Sequence, residues 1–358
     1  MPPLLRRFLR RTLTFPLTFV AAGLFVVSAP VALPLLGLAD VLVRKRSSFA
    51  RTYAFFATYL LCEVGAIVAT SALWLASPLL LRGTAEERRE RWEWLHVNLQ
   101  SWWTRTLLGM GGRIFRVRME VEGDEVLRQG PMLLLMRHSS VADTALPSVL
   151  VTHPHRIRLR YVLKRELLWD PALDLVGHRI PNYFVDRNAK DPMQEIEGVR
   201  TLVQDLRADE GVIIYPEGTV FDARRRRAAL ARVAAKNDPA MLARAEALKS
   251  VLPPRMGGAL ALLESNPGLD VVFGAHTGFE GAAGFKSLFS GSWLDATVRV
   301  RFWRVPFGEL PKGREALREY LWQAWERMDQ EVSALHARDA EAREGVAAGI
   351  WVPETVPR

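Results

Sequence analysis

Two long apolar blocks open the chain, and a different rhythm follows them. Leu13 to Leu38 carries no charged residue, and Thr52 to Leu81 carries only Glu63. Each exceeds the roughly 20 helical residues that cross a hydrocarbon core of about 30 Å, so residues 1–83 are predicted to form membrane-embedded helices. A signal peptide fits the first block poorly, because the run is long and a second follows at once. Pro16, Pro30 and Pro34 are expected to kink or interrupt the first helix. Arg6, Arg7, Arg10 and Arg11 precede that helix, and Arg44, Lys45, Arg46 and Arg51 follow it. Both clusters favour the cytoplasmic side, which a simple two-span hairpin cannot satisfy. Spanning and re-entrant or monotopic arrangements both stay open.

Residues 84–112 are polar at first and then rich in tryptophan. Trp92, Trp94, Trp102 and Trp103 suit a helix at the headgroup level, and they suit ordinary packing equally well. Gly109, Gly111 and Gly112 mark a boundary. From Arg113 to Ala342, short apolar runs alternate with helical stretches. RIFRVRMEVEG, PMLLLM, YFVD, GVIIYP, LDVVFGAH and ATVRVRFWRV read as strands. DPMQEIEGVRTLVQDLRA, ARRRRAALARVAAK, MGGALALLES and REALREYLWQAWERMDQEVSALHA read as helices. The alternation predicts an α/β fold, a mixed and largely parallel sheet flanked by helices. Residues 343–358 form a loosely held tail.

Composition narrows the partners. Of 358 residues, 49% are hydrophobic, and the net charge of +9 favours anionic partners: phosphates, nucleic acid or an acidic membrane surface. A single cysteine, Cys62, excludes an internal disulfide framework and a cysteine-based zinc site.

Four stretches carry chemistry. In LLLMRHSSVADTALP, an apolar run ends at His138, and Asp143 follows five residues later across small residues. On a regular helix such a pair sits roughly 140° apart and cannot meet. At a strand end that bends into a helix it can, at the edge where open α/β sheets place ligands. The carboxylate then fixes the imidazole tautomer and stabilises the imidazolium. A capping Asp beside a structural His has the same spacing. In GVIIYPEGTVFD, Glu217, Gly218 and Thr219 follow a strand in a tight turn, where a carboxylate suits hydroxyl binding and glycine permits close approach; a plain β-turn has the same pattern. In IPNYFVDRN, Arg187 ends a strand as a phosphate fork or as a surface ion pair. SVLPPRMGG sets Arg255 in a stiff loop that reads either as a phosphate donor or as a linker.

Together these stretches resemble the lysophospholipid acyltransferase family, which includes 1-acylglycerol-3-phosphate acyltransferase. His138-Ser139-Ser140-Val141-Ala142-Asp143 is similar to its H-x4-D motif. Asn182 to Arg187 is similar to its second block, and Tyr215-Pro216-Glu217-Gly218-Thr219 to its third. Val162 to Leu167, which includes Lys164, is similar to a V-L-K-K-E-L run between the first two blocks. The resemblance covers Arg113 to Ala334 and implies a glycerophosphate acyltransferase-like sandwich. It implies His138 as general base, Asp143 as its orienting partner, and Arg187, Glu217, Gly218, Thr219, Arg255 and Lys164 as substrate-binding residues. Two departures stand out. Val220 occupies the third block's Arg position, with Arg255 or Arg224 to Arg227 as replacements, and the fourth block is at best VVFGAH with Gly274 near its proline.

The activity so implied is membrane-bound transfer of a fatty acyl group to the free hydroxyl of a lysophospholipid, 1-acylglycerol-3-phosphate foremost. The donor is acyl-CoA or acyl carrier protein as co-substrate, with no metal or other cofactor and no nucleic acid. The catalytic domain is expected on the cytoplasmic face of the bilayer. Other lysophospholipids or glycerol-3-phosphate are alternative acceptors. Two readings of other classes compete. One is a metal-dependent membrane hydrolase using His138, Asp143 and His276 or His178, which lacks the HxH or HExxH spacing. The other is a non-catalytic membrane adaptor with a basic helix at Arg224 to Arg227.

Overall fold

The computed structural model describes residues 3–43, 48–189, 191–280 and 285–347. Three long helices come first: α1 (Pro3–Leu42), α2 (Phe49–Leu80) and α3 (Ala85–Phe115). After them run β1 (Arg118–Glu122), β2 (Met132–Met136), α4 (His153–His155), β3 (Arg158–Lys164), α5 (Pro171–Val176) and β4 (Tyr183–Val185). Next come α6 (Pro192–Arg200), β5 (Glu210–Ile214), α7 (Ala223–Ala234), α8 (Pro239–Ala247), α9 (Met256–Glu264) and β6 (Asp270–Thr277). The chain closes with α10 (Phe285–Phe289), β7 (Thr297–Val305) and α11 (Arg314–Ala347).

The seven strands form one sheet in the order β1-β7-β6-β2-β5-β3-β4. Every neighbouring pair is parallel except β6 with β7. The expected mixed, largely parallel sheet between helices is therefore what the chain forms. β2 is the centre: Met132 to Met136 are all buried, the signature of a strand covered on both faces. Leu133 and Leu135 face a core built with α6, α9 and α11. Met132, Leu134 and Met136 face the other way, toward Phe115 and the half-buried Phe55 and Phe56. Helices α2 and α3 thus supply the second covering layer.

One strand escapes the periodicity. In RIRLRYVLK, Arg158 and Arg160 sit inside the sheet on β3, only 3% and 8% exposed. Their charges are matched by groups distant in sequence. Arg158 meets Glu93 of α3 at 3.3 Å and Asp209 at 3.1 Å. Arg160 meets Glu210 of β5 at 2.7 Å and donates to the carbonyls of Leu202, Gln204 and Asp205. Buried charges persist only when so paired.

Other boundaries shift. Helix α3 runs through Gly109, Gly111 and Gly112 instead of stopping there. A methyl group at Gly111 would come within 3.3 Å of the Phe55 ring, so glycine lets α3 lie close to α2. Arg113 to Phe115 accordingly end a helix, and the strand begins at Arg118. Helix α1 is continuous across Pro16, Pro30 and Pro34. Helix α11 extends to Ala347, and the remainder of the expected tail lies outside the described residues. Of the four tryptophans in α3, only Trp102 is exposed. Trp94 lies under Arg156 and Arg158, Trp92 under Arg179, and Trp103 donates to Glu63 at 3.0 Å.

The first two helices lie along the domain instead of projecting from it. At its start, α2 is tied by the Ser48 amide to the Phe289 carbonyl at 3.2 Å. Halfway along, the Tyr59 hydroxyl donates to Asp170 at 2.7 Å and Glu63 accepts the Ala172 amide at 2.9 Å. Near the start of α1, Arg10 and Arg11 grip the buried Asp174 of α5 at 2.5 and 2.9 Å. Both helices are long and apolar enough to cross a membrane, and α1 leaves almost all of its apolar surface uncovered.

Candidate active site

Five parallel strands end at one edge of the sheet, and each motif follows one of those ends. His138 stands two residues past β2, Glu217 three past β5, Arg187 two past β4, Lys164 closes β3, and His276 lies near the end of β6. The chain thus gathers at one edge residues that are up to 138 positions apart, from His138 to His276.

His138 and Asp143 meet. Nδ1 of His138 lies 2.9 Å from Oδ1 of Asp143. Ala142 to Ala145 form a 3-10 turn that swings the carboxylate back beneath the ring. Oδ2 accepts the amides of Ser139 at 2.6 Å and Ser140 at 2.8 Å. Asp143 has no exposed surface. Burial alone would raise its pKa, and the facing His138, His276 and the Ser140 amide hold it below the usual carboxylate value. A carboxylate accepts and cannot donate, so Nδ1 of neutral His138 carries the proton. Nε2 is then a bare base, with no partner among the described residues, on a side chain 10% exposed. The Tyr215 ring leans on the imidazole, with centroids 4.8 Å apart.

Glu217 sits elsewhere than its expected role requires. It has no exposed surface; Oε1 accepts the His138 amide at 2.9 Å and Oε2 the Leu252 amide at 2.8 Å. Burial pushes its carboxyl up to about 7 against the pull of Arg137 and the two amides. A carboxylate so enclosed presents no oxygen to a glycerol hydroxyl. Its work is to hold the backbone of His138 and the loop before Arg255 in register.

Arg137 was not singled out by sequence. Its guanidinium, 1% exposed, donates to the His276 carbonyl at 2.6 Å, to Glu280 at 2.6 Å and to the Ser250 carbonyl at 3.0 Å. It lashes β2, β6 and the 249–255 loop together immediately beside the base. Asp329 of α11 fixes the same loop by accepting the amides of Lys249, Ser250 and Val251. Only the position of Arg137 at a strand end next to His138 hinted at such a role.

The cations converge on Gly218. Its φ is +65°, a left-handed conformation suited to glycine. A methyl group there would lie 2.9 Å from Arg255 Cδ and 3.3 Å from an Arg187 guanidinium nitrogen. Arg187 donates to the Gly218 carbonyl, and the Arg255 amide bonds the Pro216 carbonyl at 2.8 Å. Burial lowers Lys164 to about 8, with Arg187, Arg225 and Arg255 adding repulsion and Glu166 opposing it. Arg255 falls to about 10 through burial and the fields of Arg232 and Arg187. Cations that depress one another make a site that an anion relieves. Thr219 is half-buried in the same turn, whereas Val220 is buried and apolar. Of the two expected stand-ins for the absent arginine, Arg255 adjoins Gly218. In the other group, Arg225 pairs with Asp222 and Arg226 binds the carbonyls of Glu246 and Leu248.

The geometry fits the metal reading poorly. No group of three or more His, Cys, Asp and Glu is placed to hold a metal ion among the described residues. His276 aims Nε2 at the Arg137 carbonyl at 2.9 Å, so that nitrogen bears a proton and cannot ligate. His178 faces Asp174 at 3.8 Å, beside Arg10 and Arg11.

Residues 118–254 match the family model described as Acyltransferase. A solved structure of similar fold is that of the 1-acyl-sn-glycerophosphate (LPA) acyltransferase PlsC from Thermotoga maritima. The two share 16% identity at a TM-score of 0.51, over 79% of this chain and 98% of that one. No curated protein matches the chain in sequence.

The placement of Glu217 separates two outcomes. Glu217→Ala leaves two buried amides unpaired, a loss of about 2–6 kcal/mol. Thermal melting is expected to fall and turnover to drop, with the acceptor KM little changed. A raised KM with unchanged melting would return Glu217 to the acceptor.

Proposed function

We propose that the protein is a membrane-bound O-acyltransferase that moves a fatty acyl group from acyl-CoA or acyl carrier protein to the hydroxyl of a lysophospholipid. The acceptor favoured is 1-acylglycerol-3-phosphate, and the product phosphatidic acid. The observation that carries this reading is the His138–Asp143 bond at 2.9 Å, with Nε2 left as base. Nε2 takes the proton of the acceptor hydroxyl as its oxygen attacks the thioester carbonyl. The tetrahedral intermediate collapses with loss of the C–S bond, and the imidazolium returns the proton to the leaving thiolate. A thioester is already activated, so no covalent enzyme intermediate or metal is needed. The Ser139 and Ser140 amides are committed to Asp143 and do not serve the oxyanion.

Lys164, Arg187 and Arg255 suit a phosphate monoester, which carries up to two negative charges and no cation of its own. That argument favours lysophosphatidic acid over zwitterionic lysophospholipids. PlsC from Thermotoga maritima, whose fold is similar, is a 1-acyl-sn-glycerophosphate acyltransferase.

Monotopic attachment fits the hairpin best. The α2 helix touches the catalytic domain at its start and at its middle, while α1 touches it at Arg10 and Arg11. A span that left the domain behind would break those contacts. The uncovered face of α1, with Leu17, Leu24, Val27 and Val31, enters one leaflet, and the basic N-terminus keeps the domain on the cytoplasmic side.

Three measurements test these readings. Substituting His138→Ala is expected to reduce thiol release from acyl-CoA by about 10²–10⁴-fold at unchanged protein level and membrane attachment; retained turnover defeats the assignment. Lys164 loses its charge as pH rises through about 8. The KM for lysophosphatidic acid should therefore climb across that range, and Lys164→Arg should abolish the climb. A pH-independent KM in the parent enzyme would remove Lys164 from the acceptor site. Cysteines introduced at Val43, in the turn after α1, and at Arg82, after α2, should both react with an impermeant thiol reagent from the side that holds the catalytic domain. Labelling of the Val43 site from the opposite side would establish spanning helices instead.

A further inference from the structure

His276 is a buried histidine that the mechanism above does not use. It has no exposed surface, and its ring stands edge-on to Phe279, with centroids 5.7 Å apart. Its Nε2 lies 2.9 Å from the Arg137 carbonyl and 3.5 Å from Oδ2 of Asp143. Both partners are acceptors, so Nε2 carries the proton, which it donates to the Arg137 carbonyl with the Asp143 carboxylate close by. In return, the Arg137 guanidinium donates to the His276 carbonyl. Side chain and backbone of each residue are thereby clasped by the other, directly behind the His138–Asp143 pair.

We infer that His276 is a positioning residue for acyl transfer, sharing its Nε2–H between the Arg137 carbonyl and the Asp143 carboxylate and so setting how strongly Asp143 supports His138. The inference rests on the reading of His138 as general base. Oδ1 of Asp143 faces His138, while Oδ2 accepts the two serine amides and has His276 Nε2 at 3.5 Å. Every donor on Oδ2 draws negative charge away from Oδ1. His276 therefore weakens the pull of Asp143 on a protonated His138.

The neighbours keep His276 uncharged. Burial lowers its pKa and Arg137 lowers it further, while Asp143 and Glu280 oppose them. Glu280 is held by Arg137 at 2.6 Å and also meets His336 of α11 at 3.7 Å. The other face of the ring meets the apolar Phe279. Nδ1 is buried without a partner among the described residues, so no acceptor there competes for the proton.

The test uses the full chain in membranes and follows thiol release against pH. His276→Phe and His276→Met remove the donor while retaining bulk, and His276→Gln puts an amide N–H near the position of Nε2. Both donor-free variants are expected to lose activity on the order of tenfold or more. Their acid limb should move up by about half to one pH unit, because Asp143 then favours the imidazolium more strongly. His276→Gln should restore most of the rate and return the limb. A rate loss with an unmoved acid limb, or no rescue by Gln, assigns His276 to packing alone and overturns the inference. Full activity in either donor-free variant does so too, as does failure of both to fold. None of these results touches the general-base reading, which His138→Ala addresses separately.

Discussion

A negative charge without solvent is the constraint on which this structure turns. Asp143 is fully buried, and only the donors around it keep it ionised: Nδ1 of His138, the two serine amides and, at longer range, His276. Isolated in an apolar interior, such a carboxyl would take up a proton and lose its hold on the imidazole. The short turn from Ser139 to Ala145 exists to deliver those donors. Small residues there are a geometric requirement, since the backbone must close on the carboxylate within six positions, from His138 to Asp143.

Around that charge, the surrounding elements fix the backbone instead of adding chemistry. Glu217 joins His138 to Leu252, Arg137 joins β2 to β6 and to Ser250, and Asp329 of α11 caps the loop that leads to Arg255. One consequence is that His138 and the cluster of cations share supports. The loop that carries Arg255 is held by the same Glu217 that holds His138, so the imidazole and that cluster are built in a fixed relation. A second consequence concerns the apolar N-terminal helices. With α2 and α3 forming the covering layer over Met132, Leu134 and Met136, α2 is part of the domain's own core.

Much of this was legible in the residues. The strand pattern predicts six of the seven strands among the described residues and the helical flanks, and the His138–Asp143 spacing admits a strand-end pair. What stayed hidden depends on partners remote in sequence. β3 reads as a basic stretch because Arg158 and Arg160 are buried only by grace of Glu93, Asp209 and Glu210. Glu217 looked like a ligand for substrate because a carboxylate at a strand end has no visible neighbour, yet its partners are two amides from distant loops. The glycines of α3 looked like a stop, and close packing on Phe55 explains them instead. Short-range pattern reports periodicity; it cannot report which charges a fold will bring together.

The tautomer of His138 is the most direct test of the central claim. Protein labelled with ¹⁵N at histidine, solubilised and held near neutral pH, reports which ring nitrogen of His138 bears the proton, with His138→Ala assigning the signals. Protonation at Nδ1, lost or redistributed in Asp143→Asn, is the expected result. A neutral ring protonated at Nε2 would mean that Asp143 does not hold the imidazole and that no base faces the acceptor.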